Sequence, residues 1–278
     1  MPFVNTREGR LYYEVHDLTA PWVENPAAIV FHHGAAANLH IWNEWLPHFC
    51  SGYRLVLFDA RGCGRSSVPG AGFEWSLELL AGDVLAIAQA AGANRFHFVG
   101  EGLGGTLGLH LAVKYGDRLV SLTAANCGAR SGVAREGADW RGLIEKHGQQ
   151  AWAKQMMAWR YFPNALPQAQ HDWWLRQHAI CNAHSALIMN DLVAATDLTP
   201  YLREIKVPTL LLCPDVSPFV PAAHMAEIQA AIPGAELQVF AHARHGLPVS
   251  HAAACAQTVS AFLARRFVRV KSDLPTII

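Results

Sequence analysis

The sequence predicts an α/β protein: a mostly parallel, doubly wound sheet with helices on both faces and a helical insertion before its last two strands. Three observations predict it. Short apolar runs alternate with helical patterns in units of about thirty residues, the rhythm of strand–helix–strand crossovers. One run ends in a glycine cluster and passes straight into a helix, Phe96-His97-Phe98-Val99-Gly100-Glu101-Gly102-Leu103-Gly104-Gly105. The alternation lapses over 128–202, a stretch rich in Trp, His and Gln, and then resumes. With 278 residues, 51% of them hydrophobic, the chain suits one large core carrying a sizeable insertion.

In chain order, residues 10–15 read as a first strand, with apolar residues among polar ones. Residues 27–32 are a fully apolar run suited to a buried parallel strand, and 42–49 a short helix. Another buried strand, 55–58, ends in the turn-rich segment 59–66. Helical apolar spacing runs through 76–91 (Leu77, Leu80, Val84, Ile87) until Gly92 stops it. The glycine cluster opens a helix to about Tyr115, and 119–124 is a further strand. After the insertion come a strand at 209–213, a helix at 221–231, a strand at 236–240 and a closing helix at 251–266. The expected organisation is a core of 1–127 and 203–270, a helical cap of 128–202 and a tail of 271–278.

Lys+Arg and Asp+Glu balance at 22 each, which argues against a general attraction to nucleic acid or acidic membranes. The six cysteines (Cys50, Cys63, Cys127, Cys181, Cys213, Cys255) are scattered without a Cys-x-x-Cys pair, as free buried thiols are. No basic-then-apolar leader is recognisable and no apolar run reaches about 18 residues, so a soluble cytoplasmic protein is expected. The 15 histidines lack metal-ligand spacing, and His32 and His33, adjacent on a strand end, point opposite ways. No metal and no cofactor is expected. A small molecule is the expected partner, and a homodimer stays open.

Four motifs, each at the end of an expected strand, carry a resemblance to the α/β-hydrolase fold with a helical cap. His33-Gly34 resembles that family's oxyanion loop. Residues 59–66, Asp-Ala-Arg-Gly-Cys-Gly-Arg-Ser, are similar to its D-x-R-G-x-G-x-S loop. Gly100-Glu101-Gly102-Leu103-Gly104-Gly105 matches the nucleophile elbow G-x-S-x-G-G in everything but the serine. His245 follows the last strand, where the family keeps its catalytic histidine. Cap composition most resembles lactonases, esterases and carbon–carbon bond hydrolases.

The resemblance implies a serine nucleophile, a histidine base, an orienting carboxylate and two backbone amides as an oxyanion hole. By position the amides are those of Ala35 and Leu103. The nucleophile position is occupied by Gly102, which cannot attack a carbonyl. The acid position is occupied by Ser217, with Asp215 two residues earlier; the alternative acid site, after strand 119–124, offers Asn126 and Cys127. Loss of a nucleophile costs about 10⁶-fold in turnover and loss of the acid about 10⁴-fold, so an acyl-enzyme through residue 102 is excluded.

Three readings follow. In the first, His245 acts as general base on a water or directly on substrate, the amides hold the oxyanion, and the reaction is a hydrolysis or a lyase-type step. In the second, catalysis has been lost and the pocket binds a ligand or partner. In the third, this is an ordinary serine esterase or lactonase whose nucleophile has been replaced by glycine; Ser217 counts against it. Trp140, Trp152, Trp159, Tyr161, Phe162, Trp173 and Trp174, with Arg160 and Arg176, could line an aromatic pocket with cationic handles, suited to a small aromatic or unsaturated acid. Gly34, Trp140, Trp159 and Arg160 are the expected substrate contacts. Glu101 is expected to point away from the line of attack; buried near His245, it would be an acid of raised pKa. His242 is the rival base, Cys63 and Cys127 are candidate thiols, and Asp59 and Arg61 are expected to pin loops.

Overall fold

The structure is a computed structural model and describes residues 2–70, 72–133 and 139–267. The expected tail, 271–278, lies outside the described residues. Eight strands form one sheet: β1 (Phe3–Thr6), β2 (Gly9–His16), β3 (Ala28–His32), β4 (Arg54–Phe58), β5 (Phe96–Glu101), β6 (Leu119–Ala125), β7 (Thr209–Pro214) and β8 (Glu236–Phe240), in the order β1-β2-β4-β3-β5-β6-β7-β8. β1 pairs antiparallel with β2, and β2 with β4; every other pair is parallel. The sequence signalled seven of the eight. β1 was missed because it is four residues long and only half-buried.

The five central strands are almost entirely buried and mostly apolar because helices cover both of their faces. Val30, Val56, Phe98 and Leu122 point to one side, where α2 (Leu77–Ala90) and α3 (Leu103–Lys114) pack with Val84, Ile87, Leu107 and Leu111. Ile29, Phe31, Leu57 and Val99 point to the other, against Trp42, Trp45, Val259 and Phe262. There a 3₁₀ segment, Leu39–Trp45, runs into the short α1 (Leu46–Phe49), and α8 (Leu247–Ser250) leads into α9 (Ala252–Arg266). The indole N–H of Trp45 donates to the Pro248 carbonyl at 2.8 Å, joining these segments. α7 (Ala222–Ala231) lies between β7 and β8.

Two buried polar fasteners fix the long loops. The Asp59 carboxylate accepts the amides of Leu39 (2.9 Å) and Arg65 (2.8 Å). Arg61 forks onto Asp83 at 2.9 and 2.6 Å, with its side chain 1% exposed. Both residues therefore hold loops, as expected.

Between β6 and β7 the chain leaves the sheet for α4 (Trp140–Arg160), α5 (Gln168–Ile180) and α6 (Ala183–Ala195). Asp139 caps α4 by accepting the Gly142 amide, and Gly148, at φ 78°, kinks it. The pairing of His32 with Gly100 and of Glu101 with Ala125 brings the carboxyl ends of β3, β5 and β6 side by side. The loops that follow them converge there, where open parallel sheets bind ligands.

Candidate active site

The site is built on the β5–α3 turn. Gly102 sits at φ 56°, ψ −115°, a strained conformation that lifts it above the strand ends. A Cβ on Gly100 would run into the Gly104 carbonyl, and one on Gly104 into the His32 carbonyl, so only glycine lets strand and helix close this tightly. At Gly102 the situation is reversed. A Cβ there would lie 3.5 Å from His245 Nε2 and 3.7 Å from Gly34 Cα, ordinary contact distances. The elbow has kept the room for a side chain it does not carry.

Leu103 is the first residue of α3, so its N–H has no partner within the helix. The Ala35 N–H has no backbone partner among the described residues. His33 shapes the loop before it: its Nδ1–H donates to the Gly34 carbonyl (2.8 Å) and its Nε2 accepts the Ala60 amide (2.9 Å). Ala35, Gly102 and Leu103 line a hollow of about 50 Å³ together with Asn126, Trp140, Arg160, Phe219 and His245.

His245 is buried, and its ring meets Phe219 edge-on at 4.5 Å. Its Nδ1 faces Asn126 Nδ2, which also points at the His245 carbonyl at 3.4 Å. Asn126 follows β6 at φ 46° and is fully buried. The side chain that faces Nδ1 thus comes from the alternative acid site. Ser217 and Asp215 do not supply it: Ser217 Oγ accepts the amides of Phe219 and Val220, and Asp215 accepts those of His242 and Ala243, fastening its own loop.

The other ring nitrogen holds the larger departure from expectation. Glu101 is wholly buried, and its Oε1 lies 3.1 Å from His245 Nε2 and 3.4 Å from Arg160 Nη1. It points into the site, not away from it. Burial alone would push its carboxyl up, but the Arg160 guanidinium and the His245 imidazole outweigh that and hold it at about 2. The acid of raised pKa expected for this position is therefore an ionised carboxylate. Burial lowers the His245 pKa, and Glu101 offsets part of the effect. In its neutral form the ring fits this arrangement with Nε2–H donated to Glu101 and Nδ1 accepting from Asn126 Nδ2.

The expected substrate contacts divide. Trp140 borders the hollow, whereas Gly34 does not line it and only its Cα comes within 3.7 Å of where a Cβ on Gly102 would be. Trp159 does not line it either; it stacks edge-on behind Phe219 at 5.5 Å. Arg160 is 3% exposed, with its guanidinium already bound to Glu101 and to the Ala35 carbonyl (Nη2, 3.1 Å). Trp152 packs into the core against Trp140, and Trp173 and Trp174 pack on each other away from the hollow. Phe219 was missed, since no spacing in the sequence marks a phenylalanine after a Ser-Pro turn. His242 stacks on Phe162 at 4.2 Å, outside the site. Burial raises the thiols of Cys63 and Cys127, the latter to about 12, so neither is a thiolate at pH 7.

A sequence profile of the alpha/beta hydrolase fold matches residues 27–185, more than half of the chain. The chain belongs to the alpha/beta hydrolase family. Among its relatives is RutD of Pantoea ananatis, provisionally named a carbamate hydrolase, 28% identical over 80% of this chain and 82% of that one. Another is 3-oxoadipate enol-lactonase 2 of Acinetobacter baylyi, 26% identical over 66% of this chain and 69% of that one. A solved hydrolase from Pseudomonas aeruginosa PA01 superposes with a TM-score of 0.83 at 28% identity, covering 94% of this chain and 97% of its own. The named relatives are hydrolases, and this chain is hydrolase-like. Among the described residues no helix is long and apolar enough to cross a membrane.

Proposed function

We propose that this hydrolase-family chain acts on a small carbonyl compound, hydrolysing an ester or lactone by direct water attack, without a covalent intermediate on residue 102. One observation carries the reading. His245 Nε2 lies 3.5 Å from the point where a side chain on Gly102 would begin, and both residues line the hollow. A water there has the base on one side and the amides of Ala35 and Leu103 on the other.

The proton path follows from the hydrogen-bonding capacities of the three side chains. Asn126 Oδ1 is buried and unpartnered, whereas Nδ2 faces the ring. Rotating the amide by 180° turns Oδ1 onto Nδ1 and supports the tautomer with Nδ1–H and a bare Nε2, which gives up its hydrogen bond to Glu101 and turns its lone pair to the water. That nitrogen takes the proton of the attacking water as its oxygen bonds to the carbonyl carbon. The resulting imidazolium donates Nε2–H to Glu101 and Nδ1–H to Asn126, while the amides hold the oxyanion. Glu101 thus provides, from the elbow, the negative charge that Asn126 cannot. Collapse of the tetrahedral intermediate returns the proton from Nε2 to the leaving oxygen.

The aromatic wall of Trp140 and Phe219 and the small hollow favour a compact, unsaturated carbonyl, and the enol-lactonase relative supports that class. A second reading, a ligand-binding homologue without turnover, is favoured by one observation: in the resting arrangement Nε2–H is already donated to Glu101. Screening purified protein against aryl esters, lactones and vinylogous 1,3-diketones separates the two. The catalytic reading expects turnover that His245→Ala abolishes. Turnover that survives the substitution overturns it, and tight binding of small carbonyl compounds without turnover establishes the second.

A further inference from the structure

We propose that Arg160 is a positioning residue for the His245–Glu101 pair, through which the inserted helices set the charge and geometry of the site; this deepens the catalytic reading above. Arg160 is the last residue of α4, and it reaches all three loops that carry the site. Nη1 meets Glu101 Oε1 on the elbow at 3.4 Å, and Nη2 donates to the Ala35 carbonyl of the oxyanion loop at 3.1 Å. Its own carbonyl accepts the Gly246 amide at 2.9 Å, next to His245. A flat guanidinium can serve two acceptors in one plane at once, which an ammonium does less well.

The same turn grips the histidine loop at further points. Arg244 donates to the Ala158 carbonyl and lies over the Phe162 ring at 4.3 Å, and Phe162 stacks on His242. A Cβ on Gly246 would run into the Tyr161 ring, so the two segments touch at backbone distance. The C-terminal turn of α4 is therefore fixed to the His245 loop, and the side chain at its end is aimed at the carboxylate. Arg160 does not serve as a handle for a substrate acid: its two terminal nitrogens are engaged inside the protein, and Glu101 neutralises its charge.

The charged and titratable groups facing the pair are Arg160 from α4, Tyr161 just after it, His32 from β3, His33 from the oxyanion loop and His178 from α5. Burial keeps His32, His33 and His178 below the ordinary histidine range, His32 and His178 at about 3, so Arg160 is the cation that balances Glu101 at pH 7. Removing it leaves Glu101 unbalanced, and a proton on His245 becomes easier to hold.

The test is an NMR titration of the ring carbons of histidine-labelled protein, with the His245 signal assigned by its loss in His245→Ala. Arg160→Met is expected to raise the His245 midpoint by about one pH unit. Arg160→Lys, which restores the charge, is expected to bring it back towards the unsubstituted value. If Arg160→Met does not fold, Arg160→Gln, uncharged but able to keep the bond to Ala35, is expected to give the same rise. An unchanged midpoint in a folded Met or Gln variant overturns the assignment, and so does a Lys variant that fails to reverse the shift. The titration needs no substrate, so it stands or falls separately from turnover.

Discussion

Replacing Gly102 with serine tests the geometry of the elbow most directly. The backbone conformation at φ 56°, ψ −115° costs a serine about 1–3 kcal/mol, which a folded domain of this size tolerates. No neighbour has to move, because the new Cβ would sit 3.5 Å or more from every atom around it. An Oγ one bond further, about 1.4 Å, comes within hydrogen-bond reach of His245 Nε2, about 3 Å. The nucleophile would be restored but not activated, since Asn126 orients the ring without charge and Nε2–H is donated to Glu101. An amide in place of the triad carboxylate costs about 10⁴-fold, so Gly102→Ser alone should label slowly with a fluorophosphonate and turn over p-nitrophenyl acetate weakly. Adding Asn126→Asp should raise the acylation rate by as much as about 10⁴-fold, less whatever repulsion Glu101 exerts on the bare Nε2. Burst kinetics with p-nitrophenyl acetate, with the labelled residue identified by mass spectrometry, measure both steps. If the folded double variant acylates no faster than the single one, Asn126 does not stand where the triad acid would act, and the derived geometry is wrong.

Other perturbations reach the rest of the fold. His32, His97 and His178 are held neutral by burial at about 3, 4 and 3, against 6.5 for a free histidine. The unfolded chain therefore binds more protons than the folded one between about pH 6.5 and 4, and stability must fall as pH falls through that window, by up to about 4 kcal/mol per pH unit for the three together. Urea unfolding at stepped pH should show this slope, and His97→Gln should remove about a third of it; a flat profile would contradict the burial. Glu101 adds its own loss below about 4.5, since its folded pKa is the depressed one. Arg61→Leu should cost about 3–5 kcal/mol by stranding the buried Asp83, whereas Arg61→Leu with Asp83→Leu should cost much less; equal losses would show that packing, not the ion pair, matters. Gly100→Ala should cost about 3 kcal/mol through overlap with the Gly104 carbonyl, with Gly116→Ala, which has open space, as the control in the same thermal melt. Any turnover should persist at the pH where a free histidine becomes half-protonated and decline only below it, because the base must be neutral and burial has lowered its pKa.

Much of this was legible in the sequence because it rests on local rules. Apolar runs of the length of β3 and β5 have no other stable place than a covered parallel sheet, and the glycines at 100 and 104 announce a close approach that no side chain survives. His245 and the amides of Ala35 and Leu103 follow from strand ends. The positions that escaped depend on where side chains point. Phe219 and Trp159 are both aromatics beside the site, and only packing decides that the first borders the hollow while the second stands behind it. Asn126 was legible as an alternative, but Ser217 and Asp215 competed for the same role until the left-handed turn after β6 aimed the amide at the ring.

Glu101 shows why such a misreading is physical and not accidental. A residue before the elbow apex belongs to the strand, and strand alternation sends it to the opposite face from its neighbours. Here the chain is leaving the strand, and the next residue has no side chain to compete for the space over Gly34. A carboxylate entering that space alone would be expelled or protonated. It is tolerated because Arg160 arrives from a segment some sixty residues later in the chain. Neither residue makes sense without the other, and both depend on the glycine between the strand and the helix. The bare glycine at 102, the glutamate buried beside it and the cation at the end of α4 form one coupled arrangement. Returning a serine to position 102 while keeping Glu101 and Arg160 therefore cannot by itself restore an ordinary triad. Acylation by Gly102→Ser that is left unchanged when Glu101→Gln is added would show that the glycine and the buried pair are independent after all.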